Sequence, residues 1–197
     1  MSIIMFLGRD VKEYKEKSLE IIANAIENRA LLCEFKSTPM QIHMHYPRGV
    51  KRGAGKADRD KIEVYFVICK ACDVAHGHAL LPDFLLPYKQ YGADEVESVI
   101  IDSATQAVSA IDTEASESTA RRWIKQVGGR VVRAVSVLKA IFMEIGRAIA
   151  ETRIAPGHCY GELEQVLEMA PCKLRYGGNK LGLANMWLGR QSRREYI

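Results

Sequence analysis

The 197-residue sequence has only five cysteines: Cys33, Cys69, Cys72, Cys159 and Cys172. An odd, sparse set excludes a disulfide framework as the basis of the fold and leaves free thiols or a metal site. Long hydrophobic runs are also missing. Every strongly apolar stretch is broken by charge well before the roughly 18 residues that a membrane span needs, so no membrane partner is expected. The apolar start, Met1 to Leu7, runs into Arg9, Asp10, Lys12 and Glu13 without a basic leader, which predicts a cytoplasmic protein. Internal repeats and low-complexity segments are absent. Aspartate is absent beyond Glu117, where the only acids are Glu144, Glu151, Glu162, Glu164, Glu168 and Glu195. A nuclease or transposase needs spaced carboxylates to hold two metal ions about 3.5–4 Å apart. Glu162, Glu164 and Glu168 read better as a solvated helix face, so such an enzyme stays the alternative and no catalytic residue is assigned.

Charge is present but unevenly placed. Residues 120–197 carry 14 Lys+Arg against 6 Asp+Glu, whereas residues 1–119 carry 14 against 18. A basic C-terminal part fits a polyanionic partner, or a plain solvated basic surface.

Apolar spacing divides the chain into four regions: 1–30, 31–91, 92–130 and 131–197. Val11, Tyr14, Leu19, Ile22 and Ile26 predict a helix over 9–29. Pro47 to Lys61, rich in Gly, Lys and Arg, predicts an exposed loop. Ile62, Val64, Phe66 and Ile68 alternate with Glu63, Tyr65 and Val67 and predict a strand. Pro82 and Pro87 bracket a segment, Leu81 to Tyr88, that should be extended, because proline disfavours the helical region for the residue before it. From Ala93 onward the chain reads as mainly helical. Val132, Val135, Leu138, Ile141, Phe142 and Ile145 form a stripe along a long helix, Val131 to Ala150, through which a homodimer could pack. A further helix is predicted over Glu162–Met169, and the Gly-rich basic tail from Lys173 has no assignment.

Two patterns carry chemistry. In the first, Ser116 is a candidate N-cap for a helix Glu117–Val127, and Gly128-Gly129 should end it. Ala120, Trp123, Ile124 and Val127 fall at i, i+3, i+4 and i+7 and form one buried stripe. Ser118, Thr119, Arg121, Arg122 and Lys125 are then the candidate contacts to double-stranded DNA, with arginine forks for guanine edges and phosphates. Preceding helices within Ala93–Ser109 and Ala104–Ala110, and a turn at Ile111-Asp112-Thr113, would complete a helix-turn-helix. The acidic residues Asp94, Glu95, Glu97 and Asp102 should then point away from the duplex. An ordinary amphipathic helix with a solvated basic face has the same spacing.

In the second pattern, Cys69-Lys70-Ala71-Cys72 has the spacing of a zinc knuckle. A structural site needs two further ligands. Cys33 is one candidate, although Lys36 stands where a second CxxC pair would place its cysteine. His43, His45, His76 and His78 are candidates for the fourth ligand, with His43 preferred. Cys159 and Cys172 lack such spacing, and His158-Cys159 is a poor nucleophile pair because adjacent residues seldom face each other.

Together, the cysteine knuckle, the run Leu81-Pro82-Asp83-Phe84-Leu85-Leu86-Pro87-Tyr88 and the helix Ser118-Thr119-Ala120-Arg121-Arg122-Trp123 resemble a family of uncharacterised bacterial proteins. These look like the N-terminal zinc-ribbon and helix-turn-helix regions of insertion-sequence transposases. The resemblance covers about residues 30–130. It implies two CxxC knuckles binding Zn2+, with Cys69 and Cys72 matching the second and Cys33 the start of the first, and a histidine-containing strand at His43-x-His45. It also implies DNA binding near mobile elements rather than a reaction. The expectation is therefore an α+β, mainly α, protein: a small degenerate zinc-ribbon-like β unit, a helix-turn-helix and a C-terminal helical region. Its function would be that of a sequence-specific DNA-binding regulator or transposon-associated accessory factor. The alternatives are a DNA-processing subunit or a helical assembly module without nucleic acid.

Overall fold

The protein is described by a computed structural model, which covers residues 2–51, 59–72, 76–87, 89–144, 159–170 and 180–191. The fold is α+β and mainly α. Its elements in chain order are β1 (Ser2–Met5), α1 (Val11–Glu27), β2 (Gln41–Lys51), β3 (Arg59–Cys69), β4 (His76–Pro82), α2 (Ala93–Asp102), α3 (Glu117–Glu144), α4 (Cys159–Glu168) and α5 (Lys180–Gln191). The four strands form one sheet in the order β1-β4-β3-β2, with β1 parallel to β4 and the other pairs antiparallel.

The β unit is larger than a short ribbon. β2 and β3 pair over their length, from Gln41↔Ile68 to Lys51↔Arg59. The segment Pro47–Lys61, expected to be a loop, is therefore strand at both ends, and residues 52–58 lie outside the described residues. Glycine and the basic residues misled there because β2 is an edge strand, where one-sided exposure tolerates polar side chains. The N-terminal segment is not separate either, since β1 completes the sheet of the second region. The burial phase of β3 follows Ile62 and Val64, then shifts to Val67 and Cys69.

Asp10 caps α1, its carboxylate accepting from the Glu13 amide at 2.9 Å. Val11, Tyr14, Ser18 and Ile22 face inward, while Leu19, expected on that stripe, is 52 % exposed. The Tyr14 hydroxyl donates to the Glu63 carbonyl at 2.6 Å and so ties α1 to β3. Leu81 and Pro82 end β4, and Leu85 and Leu86 then pass through the core. The predicted extended segment is thus partly strand, and Tyr88 lies outside the described residues.

The two helices expected on either side of Gly128-Gly129 are one. α3 runs unbroken through both glycines. A helix stops at glycine when the residue turns left-handed, but among the described residues only Gly8 is a glycine with positive φ. The buried stripe explains the continuation: Ala120, Trp123 and Val127 are followed in phase by Val131, Ala134, Val135, Leu138, Ile141 and Phe142. Burial of that stripe outweighs the roughly 1 kcal/mol helix penalty of each glycine. Val132, expected on the stripe, is 58 % exposed, and Ile145 to Ala150 lie outside the described residues.

A Cβ at Gly128 or Gly129 would meet no atom within 4 Å. Gly128→Ala with Gly129→Ala should therefore stabilise the fold by up to about 2 kcal/mol in a urea melt. No gain would mean that the helix is broken there in solution.

The stripe assigned to a homodimer is covered within the chain, because α3 packs on α4, α2 and α5. Lys139 donates to Glu162 at 2.7 Å and Lys180 pairs with Glu164, so these acids link helices instead of forming a solvated face. α4 starts at Cys159, three residues before the predicted helix. α5 falls in the tail that had no assignment, and residues 171–179 and 192–197 are outside the described residues.

Candidate functional site

Two sites emerge, one of thiols and one of basic side chains. The thiol site forms where two turns meet. Between Cys33 and Thr38 the chain makes a tight turn, with the Cys33 amide donating to the Thr38 carbonyl and the Ser37 amide to the Cys33 carbonyl, both at 2.8 Å. Ser37 takes a left-handed φ of 50° to close it. Cys69 ends β3, and Cys72 lies in the turn that follows.

This arrangement brings three sulfurs together. Cys33 and Cys69 are buried and Cys72 half-buried, and all three Sγ atoms lie within 4.8 Å of one another. Cys72 Sγ is 3.5 Å from both Cys33 Sγ and Cys69 Sγ. Tetrahedral thiolates at a metal–sulfur distance of about 2.3 Å stand about 3.8 Å apart. Three vertices are therefore in place, and a small outward movement of the sulfurs admits an ion. Cys33, Cys69 and Cys72 lie close enough to bind a metal ion.

The electrostatics suit a cation. A hydrogen bond from the Thr38 hydroxyl, 3.4 Å from Cys69 Sγ, lowers the Cys69 pKa, with further help from the Cys33 and Cys72 thiols. Burial raises that of Cys72, as do its bonds to the neighbouring sulfurs. Without a cation, one thiolate forms readily and keeps its neighbour protonated. A divalent ion removes that conflict.

The structure does not bring His43 to the thiols. It lies exposed on β2, as does His45, whose Nδ1 is 2.9 Å from a Glu63 carboxylate oxygen. His78 is buried on β4, and His76 stacks on Phe35 with ring centroids 4.5 Å apart. Among the described residues, no fourth ligand joins the three cysteines. Lys36 is exposed within the Cys33–Thr38 turn. His158 and Cys172 lie outside the described residues.

The basic site starts at α3. The Thr119 amide donates to the Ser116 carbonyl at 2.8 Å, and Ser116 Oγ lies 3.4 Å from the same amide. Ala120, Trp123 and Val127 are buried as the spacing predicts, with Ile124 half-buried. Ser118, Arg121, Arg122 and Lys125 are exposed, and Thr119 is half-buried. Arg121 Nε donates to Glu117 at 3.0 Å, an ion pair on the helix surface. Arg122 and Lys125 have no carboxylate partner among the described residues.

The helices expected ahead of α3 are shorter than the spacing suggested. α2 ends at Asp102, and the second is a single 3-10 turn, Val108–Ala110. The acids of α2 are partly used inside the protein. Glu95 accepts from the Thr113 hydroxyl at 2.6 Å and the Glu114 amide at 2.9 Å. Glu97 accepts from the Leu181 amide at the start of α5, and burial raises its pKa.

Sequence reasoning missed Arg48, Lys51, Arg59 and Lys89. They line a cleft of about 450 Å³ between the Lys51/Arg59 end of the β2–β3 pair and the segment after β4. Lys89 joins this cleft to α3 by donating to Gln126 Oε1. The Lys89 pKa is lowered first by burial, then by the positive charges of Arg122 and Arg130. The only signal in the sequence was the basic composition of Pro47–Lys61.

A family model described as "Domain of unknown function (DUF6431)" matches residues 33–123 of this chain. The matched stretch begins at the first cysteine of the thiol cluster and ends at Trp123, in the second turn of α3. Comparisons with curated proteins and with solved structures gave no match.

Proposed function

We propose that this chain binds double-stranded DNA with the exposed basic face of α3, acting as a regulator or transposon-associated accessory factor. The supporting observation is the division of α3 into a buried stripe, Ala120-Trp123-Val127, and an opposite face of Ser118, Arg121, Arg122 and Lys125. A stripe packed into the core fixes the direction of the face opposite, which is what base reading requires. Arg122 and Lys125 are the principal contacts. Arg121 is held along the helix by Glu117 and has to exchange that carboxylate for a phosphate or a base.

We infer zinc as the ion at Cys33, Cys69 and Cys72, because an all-thiolate set favours zinc over oxygen-seeking ions. The ion's role would be structural, joining the Cys33 turn to the end of β3.

The double variant Arg121→Ala with Arg122→Ala tests the reading. Losing two bidentate contacts should weaken duplex binding about 100-fold or more in a fluorescence-anisotropy titration. Thermal stability should change little, because exposed ion pairs contribute about 0–1 kcal/mol. A double variant that binds duplex DNA as tightly as the parent would remove α3 from the interface.

A further inference from the structure

The cleft beside α3 has properties that the face of α3 lacks. Among the described residues its charged lining is Arg48, Lys51, Arg59 and Lys89, with no carboxylate. Arg48 is half-buried, and burial lowers its pKa. One of its terminal nitrogens donates to the carbonyls of Leu86 at 2.9 Å and Lys89 at 2.5 Å. These bonds orient the guanidinium without neutralising it. Lys51 is held the same way: its ammonium donates to the Tyr91 hydroxyl at 3.1 Å and lies 4.7 Å from the centre of that ring. Among the described residues, none of the four cations is paired with a carboxylate. A partly buried arginine without an anion is costly, and a bound anion is the usual compensation.

The cleft also has a clear boundary. On the other side of Lys51 a second cleft is lined by Asp10, Asp94, Glu95 and Glu114, and by Arg9, which is already paired with Glu13; this mainly acidic lining would repel a phosphate. The surface therefore changes sign at Lys51. On the basic side it continues through Lys89 to Gln126 and Arg122 on α3. Cations such as Arg48 and Lys51, oriented by neutral partners and with N–H donors left over for an oxyanion, suit a phosphate group.

We propose that this cleft is a phosphate subsite, in which Arg48, Lys51, Arg59 and Lys89 take a phosphodiester group of the DNA strand that runs past α3. The identity of the polyanion rests on the DNA-binding reading of α3. The anion site itself does not. The cleft sets the register of the duplex on the protein and leaves base reading to α3.

The test uses the full chain, the double variant Lys51→Gln with Arg59→Gln, and the single variant Lys89→Gln, leaving Arg48 intact to protect the fold. One arm titrates sodium tripolyphosphate against the arginine Nε–Hε resonances. The other measures duplex affinity between about 50 and 200 mM salt, where each neutralised phosphate contributes about 0.9 to the slope of log K against log salt. Tripolyphosphate should shift Arg48 and Arg59 in the parent, and Arg48 much less in the double variant. The double variant should lower the salt slope by up to about 0.9, the share of the one phosphate the cleft holds, and Lys89→Gln by a part of that. If α3 variants abolish duplex binding while the cleft variants change neither readout, the cleft proposal is overturned and α3 stands. If tripolyphosphate binds in the cleft and no duplex binds the parent, the anion site stands and the DNA reading falls. If neither ligand binds the parent, both fall.

Discussion

On the proposed zinc reading, replacing Cys69 by serine is expected to abolish equimolar zinc binding and to release the Cys33–Thr38 turn from the end of β3. Cys69 stands 3.5 Å from Cys72 and also receives the Thr38 hydroxyl, so it links both turns. Structural zinc in small domains contributes on the order of 10 kcal/mol to folding. The effect on this chain should be smaller and local. Most of the core lies away from the thiols, in the sheet beneath α1 and in the stripe of α3. Hydrogen exchange should therefore speed up around Leu31–Met40 and at the Cys69 end of β3, while α3 keeps its protection. Metal affinity should also fall as the pH is lowered. The Cys72 thiol, whose pKa is raised by burial, has to give up its proton to ligate. Retention of a full zinc equivalent by Cys69→Ser, measured by atomic emission, would exclude the trithiolate site.

The thiol cluster was legible because two of its members sit at knuckle spacing and the third precedes a turn. Choosing His43 was not decidable from spacing. A histidine on an edge strand alternates faces with its neighbours, and β2 carries His43 away from the cluster. The α3 stripe was legible as far as Val127. Its continuation was not, because local glycine chemistry predicts a stop and only the packing of Val131 and Leu138 against other helices overrides it. β1 has four residues, too few to show a period. α5 escaped for the opposite reason. Leu181, Leu183, Ala184, Asn185, Met186 and Leu188 are all buried, so no polar face marks a helical repeat. The basic cleft is assembled from residues spread from Arg48 to Lys89, and no local pattern records that strand pairing and the segment after β4 bring them together.

Trp123→Ala should be the most damaging substitution outside the metal site. Trp123 is 1 % exposed and meets Tyr91 edge-on, with centroids 4.9 Å apart and planes at 74°. A buried Trp→Ala change costs about 3–5 kcal/mol, of which the aromatic pair accounts for about 0.5–1.5 kcal/mol. The effect extends beyond stability. Tyr91 holds Lys51, and the Lys51 amide donates to the Gln90 carbonyl at 2.8 Å, so the tryptophan supports the segment that carries Lys51 and Lys89. Trp123→Phe keeps an aromatic edge against Tyr91 and should recover most of the stability and the salt slope. Trp123→Ala should lower the urea midpoint and, at temperatures where it remains folded, blunt the salt dependence of DNA binding. A loss below about 1 kcal/mol would show that Trp123 does not occupy the core. An unchanged salt slope in a folded Trp123→Ala protein would instead separate the cleft from α3, because the positions of Lys51 and Lys89 would then owe nothing to the helix.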